Sequence, residues 1–173
     1  QERQVYTIFS TSQGMVAVDA PSKRATLDLA LVLPKTWSAL ATGDERPTTP
    51  VDREHDLHRW QLATPMPSYV YGFVAGDFQR VDLPGAGTKL DLLADAAHMP
   101  QARTTFAATA DMLSFFAEKA GVPYPYRHYG QAVVTDTIGQ ELAGVSLLSS
   151  GYVEKVAGGE RSIGLVAHEA AHQ

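Results

Sequence analysis

Leu165-Val166-Ala167-His168-Glu169-Ala170-Ala171-His172-Gln173 is the stretch whose reading decides the second half of the chain. It holds no Gly and no Pro, and Val166, Ala167, Ala170 and Ala171, with Ile163 before them, give a small apolar body suited to a packed helix. The spacing predicts a helix that begins near Ser162 and still runs at Gln173. On such a helix His168 and His172 lie one turn apart on one face, so two imidazoles can point at one metal ion. Glu169 is rotated by about 100° around the axis, which sets its carboxylate beside the metal and within reach of a water. Zinc suits two His nitrogens, an oxygen ligand and one open position. It brings the pKa of a water down towards about 7, and a neighbouring glutamate can take the proton. The pattern fixes only three residues and arises by accident in on the order of one chain in a few hundred of this length, so its helical context matters. The plainer reading is a helix with two surface histidines.

Upstream of that helix the elements alternate. Residues 135–151 are rich in Gly and Ser and are read as lining a site, and 131–134 as a strand. Tyr124-Pro125-Tyr126 is extended. Phe106, Ala110, Leu113, Ala117 and Ala120 recur at spacings of three and four, which predicts one amphipathic helix over 101–120. Pro100 precedes it and Gly121 closes it, with Pro123 beyond. Lys89–Ala94 is a short strand, and Pro84-Gly85-Ala86-Gly87 marks the best domain boundary.

The first half reads as β. Leu27, Leu29, Leu31 and Leu33 alternate with polar or small residues, the period of a half-buried strand. Pro34-Lys35 ends it, and 37–41 is read as its return strand. Gly43-Asp44 is a turn and 48–54 a loop, with further strands over 58–63, 69–75 and 78–83. The fold class is therefore α+β. Residues 1–86 are the C-terminal part of an N-terminal β-sheet domain, a sandwich or curved sheet. Residues 87–173 are the start of a second, mixed domain.

Composition narrows the function classes. Hydrophobic residues make up 45% of the chain and charged residues 19%, a globular balance that excludes disorder. The net charge of −5 comes without a basic block, which argues against nucleic acid as a partner. With no cysteine, neither a disulfide framework nor a thiolate metal site can form. No apolar run nears the roughly 20 residues that span a bilayer, and Gln1-Glu2-Arg3-Gln4 has no signal-peptide core. These features fit a cytoplasmic and an exported protein alike.

Several stretches, in order, resemble the aminopeptidase N family of gluzincin metallopeptidases, which includes leukotriene hydrolase. Residues 165–173 are similar to its zinc helix, in which Gln commonly follows the second His. Gly139-Gln140-Glu141-Leu142-Ala143-Gly144-Val145 resembles a departed form of its G-A-M-E-N motif. Tyr124-Pro125-Tyr126 with Tyr129 resembles the segment before that motif. Met66-Pro67-Ser68-Tyr69 and Gly76-Asp77-Phe78 resemble its last strands before the catalytic domain. Asp19-Ala20-Pro21-Ser22 and Ala25-Thr26 resemble a segment of its N-terminal sheet domain.

The resemblance implies a saddle-like sheet followed by a thermolysin-like catalytic domain, and removal of N-terminal residues from a peptide substrate with one zinc ion. It makes His168 and His172 zinc ligands, Glu169 the general base, and Glu141 the carboxylate that binds the substrate's α-amine. The backbone of Gly139, Gln140, Leu142 and Ala143 becomes the strand along which substrate lies. Leu142 stands where the motif has Asn, and Ile138-Gly139-Gln140 where it has Gly-Ala-Met. Two alternatives stay open: a related zinc hydrolase or endopeptidase with altered specificity, and a metallopeptidase-like binding module without catalysis. In the family the third zinc ligand, a glutamate, and a tyrosine that stabilises the tetrahedral intermediate lie beyond the second His by more than this chain extends. The expectation is that the 173-residue chain alone neither hydrolyses peptides nor holds zinc tightly, the remainder of the catalytic domain being missing.

Other features read more plainly. His55 and His58, with Asp52, Glu54 and Asp56, form a solvated loop rather than a metal site. His98 and His128 are structural, and Trp37, Trp60, Tyr124 and Tyr126 are packing residues.

Overall fold

The computed structural model describes residues 4–8, 14–18, 20–85, 87–136 and 139–173. Gln1, Glu2, Arg3, Asp19, Ala86 and Ile138, which enter the sequence reading, lie outside the described residues. The architecture is α+β and rich in strands. The strands are β1 (Gln4–Tyr6), β2 (Arg24–Pro34), β3 (Ser38–Ala41), β4 (Asp44–Pro50), β5 (His55–Pro67), β6 (Phe73–Gly76), β7 (Gln79–Leu83), β8 (Lys89–Ala94), β9 (His128–Val134), β10 (Gly139–Leu142) and β11 (Val145–Ser149). The helices are α1 (Met99–Thr105), α2 (Thr109–Ala120), α3 (Ser150–Ala157) and α4 (Gly164–Ala171).

Among the described residues the strands form three sheets, ordered β2-β5-β4, β1-β6-β3 and β10-β11-β9-β8-β7. The middle one is buried on both faces, and its sequence shows why. Leu40 and Val74 point to the five-stranded sheet, where they pack with Leu93, Ala132, Val134, Leu142 and Leu147. Ala39, Ala41 and Ala75, one position out of phase, point the other way onto Leu33 and Trp60. Leu27, Leu29, Leu31 and Leu33 share one face of β2, and burial rises along it to Leu33, as the period of two requires.

The five-stranded sheet carries its helices on the opposite face. Leu92, Ala94, Val133 and Leu148 meet Met99, Ala102 and Phe106 of the α1 segment, Tyr152 and Val153 of α3, and Val166 of α4. Truncating a fully buried ring such as that of Phe106 to alanine costs about 3–5 kcal/mol. The sheet is mixed: β8–β9 and β9–β11 are parallel, and β7 and β10 are antiparallel edges. β7 lies before the Pro84-Gly87 stretch in sequence yet is hydrogen-bonded into this five-stranded sheet.

Several local expectations change. β3 pairs with β6 and not with β2, whose partner is β5, so 37–41 is not a return strand. β4, an edge strand exposed along its whole length, runs from Asp44 of the expected turn to Pro50 of the expected loop, while 51–54 are a loop as read. Pro47 and Pro50 are tolerated there because an edge leaves backbone groups unpaired. Residues 69–75 divide into a 3-10 turn, Ser68–Val70, and β6. The helix read over 101–120 is two helices. Backbone at residues 106–108 leaves the α-helical line, and the Thr109 hydroxyl lies 2.8 Å from both the Phe106 carbonyl and Gln131 Oε1. Gly121 caps α2 in the left-handed region, φ 71°. Helix α3 follows β11 directly, with the Ser149 hydroxyl accepting from the Tyr152 N–H at 3.2 Å.

Candidate active site

Helix α4 has two faces. Val166, Glu169 and Ala170 turn inward onto the sheet, while His168 and His172 lie on the exposed side. The rings of the two histidines are 4.7 Å apart, and their Nε2 atoms are 3.1 Å from one another. Two ring nitrogens this close need either a shared proton or a common electrophile between them. His172 sits just past the last α-helical residue but keeps helical angles, so the one-turn spacing holds.

The Glu169 carboxylate runs from the helix to the start of β10. Gly139 is where it arrives: a Cβ on that glycine would collide with the carboxylate and crowd Leu165. Only 3% of Glu169 is exposed, and its buried Oε2 finds no hydrogen-bond partner among the described residues. Burial first, and then the nearby Glu141 carboxylate, push its pKa up, with His168 and His172 pulling the other way.

β10 supplies Glu141 by strand alternation. Gln140 and Leu142 face away from α4, and Leu142 is buried in the core beside Val145 and Leu147. Gly139 and Glu141 face the helix. Donor atoms of Glu141, Glu169 and His172 all lie within 4.8 Å of one another. Across the hairpin Glu141 is level with Ser146, whose hydroxyl is 2.6 Å from the phenol of fully buried Tyr129. Burial pushes the Tyr129 phenol above its ordinary value.

This donor set fits a cation. Zinc bonds of about 2.0–2.2 Å put two ligands of one ion no more than about 4.4 Å apart, and the two imidazole nitrogens meet that condition. Two carboxylates held together, one with an orphaned buried oxygen, also favour positive charge between them.

The hairpin turn that follows Glu141 is held from both sides. Gly144, in the left-handed region at φ 80°, donates its N–H to Gln173 Oε1 at 2.8 Å. Gln173 Nε2 donates to the Leu142 carbonyl at 3.2 Å. The Ala143 N–H donates to the Val70 carbonyl at 2.9 Å. In the sequence Gln173 is marked only by its place after His172, although it stands four residues after Glu169, a spacing that would have pointed to the same side of the helix.

The remaining histidines sit outside the site. His98 lies between Asp95 (2.9 Å) and Glu154 (3.1 Å). His128 is largely buried, which lowers its pKa. His55 is hydrogen-bonded to Asp52, and His58 stacks on Trp60 at 6.0 Å.

The chain is similar to aminopeptidase N. It is 24% identical over 168 residues to the aminopeptidase N of Oryctolagus cuniculus and 25% identical over 169 residues to that of Canis lupus familiaris. Each match covers 90% of this chain. The chain spans 17% of the length of each of these proteins. No protein-family model matches it. No helix among the described residues is long and apolar enough to cross a membrane.

Proposed function

We propose that the chain carries the metal-binding helix and the substrate-amine strand of a zinc aminopeptidase. The likeness to two aminopeptidases supports a peptidase, and the side chains support the finer reading. The observation that carries it is the meeting, within 4.8 Å, of Glu141, Glu169 and His172, with His168 Nε2 3.1 Å from that of His172.

In this reading His168 and His172 hold the ion. Zinc bound there supplies the charge that polarises a peptide carbonyl and eases ionisation of a water. Glu169, buried beside the two imidazoles, takes the proton from the attacking water and can return it to the leaving amine. Glu141 accepts hydrogen bonds from the substrate's α-ammonium, a charge that needs a carboxylate partner once it leaves bulk water. β10 is an edge strand, so substrate backbone can add to it as a further strand. Thermolysin-like organisation of residues 87–173 belongs to the same proposal.

Leu142, the departure from the family motif, packs its side chain into the core on the far face of β10. It therefore removes nothing from the face that carries Glu141, which favours the aminopeptidase over an altered specificity. The test is a comparison on the full-length protein of an aminoacyl anilide with its N-acetylated form, alongside metal analysis. Zinc-dependent cleavage confined to the free amine supports the proposal; equal cleavage of both assigns an endopeptidase-like or altered activity.

A further inference from the structure

Resting on the function just proposed, we infer that Gln173 is a positioning residue that sets where the Glu141 carboxylate stands relative to His172 and Glu169. Gln173 follows His172 directly, and Leu142 follows Glu141 directly. The Gln173 amide closes between these two neighbours. Its Oε1 accepts from Gly144 N–H at 2.8 Å and its Nε2 donates to the Leu142 carbonyl at 3.2 Å. The same Nε2 lies 3.4 Å from the Glu169 carbonyl, which keeps the side chain over the last turn of α4. The amide thus satisfies one donor and one acceptor of the turn that ends β10, while Gly139 abuts Glu169 at the other end of the same strand. Helix α4 through Glu169, and Gln173 just past its end, hold the two ends of a four-residue strand that carries the amine ligand at its third position.

Each of these hydrogen bonds has a modest net value of about 1 kcal/mol, too little to hold the fold and enough to hold a register. A shift of about 1 Å between catalytic groups and the group that anchors substrate can cost roughly 100-fold in rate. Gln173 therefore acts on the distance from amine to scissile carbonyl. It touches neither substrate nor the reacting atoms.

The full-length protein is tested as wild type and as Gln173→Ala, Gln173→Met and Gln173→Glu. Three quantities are measured: amide hydrogen exchange at Gly144, calorimetric affinity of the metal-free protein for L-leucinamide, and kcat/KM on an aminoacyl anilide. Gln173→Ala and Gln173→Met should speed Gly144 exchange about tenfold, weaken leucinamide binding about tenfold and lower kcat/KM roughly 10- to 100-fold, with zinc content unchanged. Gln173→Glu still accepts from Gly144 N–H but cannot donate to the Leu142 carbonyl, and should fall between. Loss of zinc and of thermal stability in proportion to activity would assign a merely structural role and overturn the inference. So would Gly144 exchange and leucinamide affinity at wild-type values in Gln173→Ala. Absence of zinc-dependent cleavage in the wild type instead fails the proposed function, while Gly144 exchange still reports on the Gln173 contacts to the turn.

Discussion

Gly139 and Glu169 occupy each other's space: the carboxylate of the helix residue fills the position that a side chain on the strand residue would take. The carboxylate can keep this position only because residue 139 has no Cβ. Gly139→Ala should push the Glu169 carboxylate out of line, lowering kcat/KM roughly 100-fold with zinc content retained. Parallel assays of turnover and bound metal check this; wild-type turnover in the variant would show that Glu169 has room to spare.

How much of this was legible in the sequence depends on how local the cause is. The leucine alternation of β2 and the His168/His172 spacing are short-range periodicities, and both gave the right element. β4 has no apolar face, being exposed throughout, so no period announces it. The break between α1 and α2 holds neither Gly nor Pro; at its end Thr109 hydrogen-bonds Gln131 on a strand 22 positions away, a contact that no local pattern announces. β3 follows β2 in sequence but stacks on it, Ala39 and Ala41 against Leu33, instead of pairing with it, and adjacency in sequence does not distinguish stacking from pairing. In the site, Glu141 was reachable through resemblance, whereas the Gln173 contacts arise only when β10 folds back against α4.

Arg80 joins the sheets by charge. It donates to Glu45 of β4 (2.7 and 3.1 Å) and to Asp91 of β8 (3.0 and 3.1 Å). Burial opposes ionisation of Asp91, but Arg80 and then Lys89 outweigh it and hold the carboxyl below its usual range. Arg80→Met leaves a 1%-exposed carboxylate with Lys89 at 3.1 Å and the largely buried His128 ring 3.9 Å away, and should cost about 3 kcal/mol in urea denaturation. Because the Asp91 pKa is depressed, its contribution is present above the unfolded value, about 3.9, and is lost as pH falls through the folded one.

His98 gives the opposite pH dependence. Burial lowers its pKa, but Asp95 and then Glu154 outweigh burial and raise it above the ordinary value. The stabilisation is complete below about pH 6.5 and is lost as pH rises through the folded pKa. The partners are about half exposed, so the effect is about 0.2–1 kcal/mol. Melting temperatures of wild type and His98→Gln should differ most near pH 5.5 and converge towards pH 8.5. A gap that widens with pH would reverse the assignment.

Thr109→Val keeps the shape of a fully buried residue and removes its hydroxyl. Gln131 Oε1 then loses its partner in a site sealed from water, at a cost of about 1–3 kcal/mol in chemical denaturation. A change below about 0.5 kcal/mol would mean that the kink between α1 and α2 does not depend on this bond.

The Glu169→Gln variant of the full-length protein, assayed for zinc and for cleavage of an aminoacyl anilide, tests the central claim most directly. The amide keeps the size of the side chain and cannot take a proton. The expected result is a zinc content equal to wild type and a fall in kcat of about 100- to 10,000-fold. Cleavage at the wild-type rate by a zinc-loaded Glu169→Gln protein would contradict the assignment of the general base.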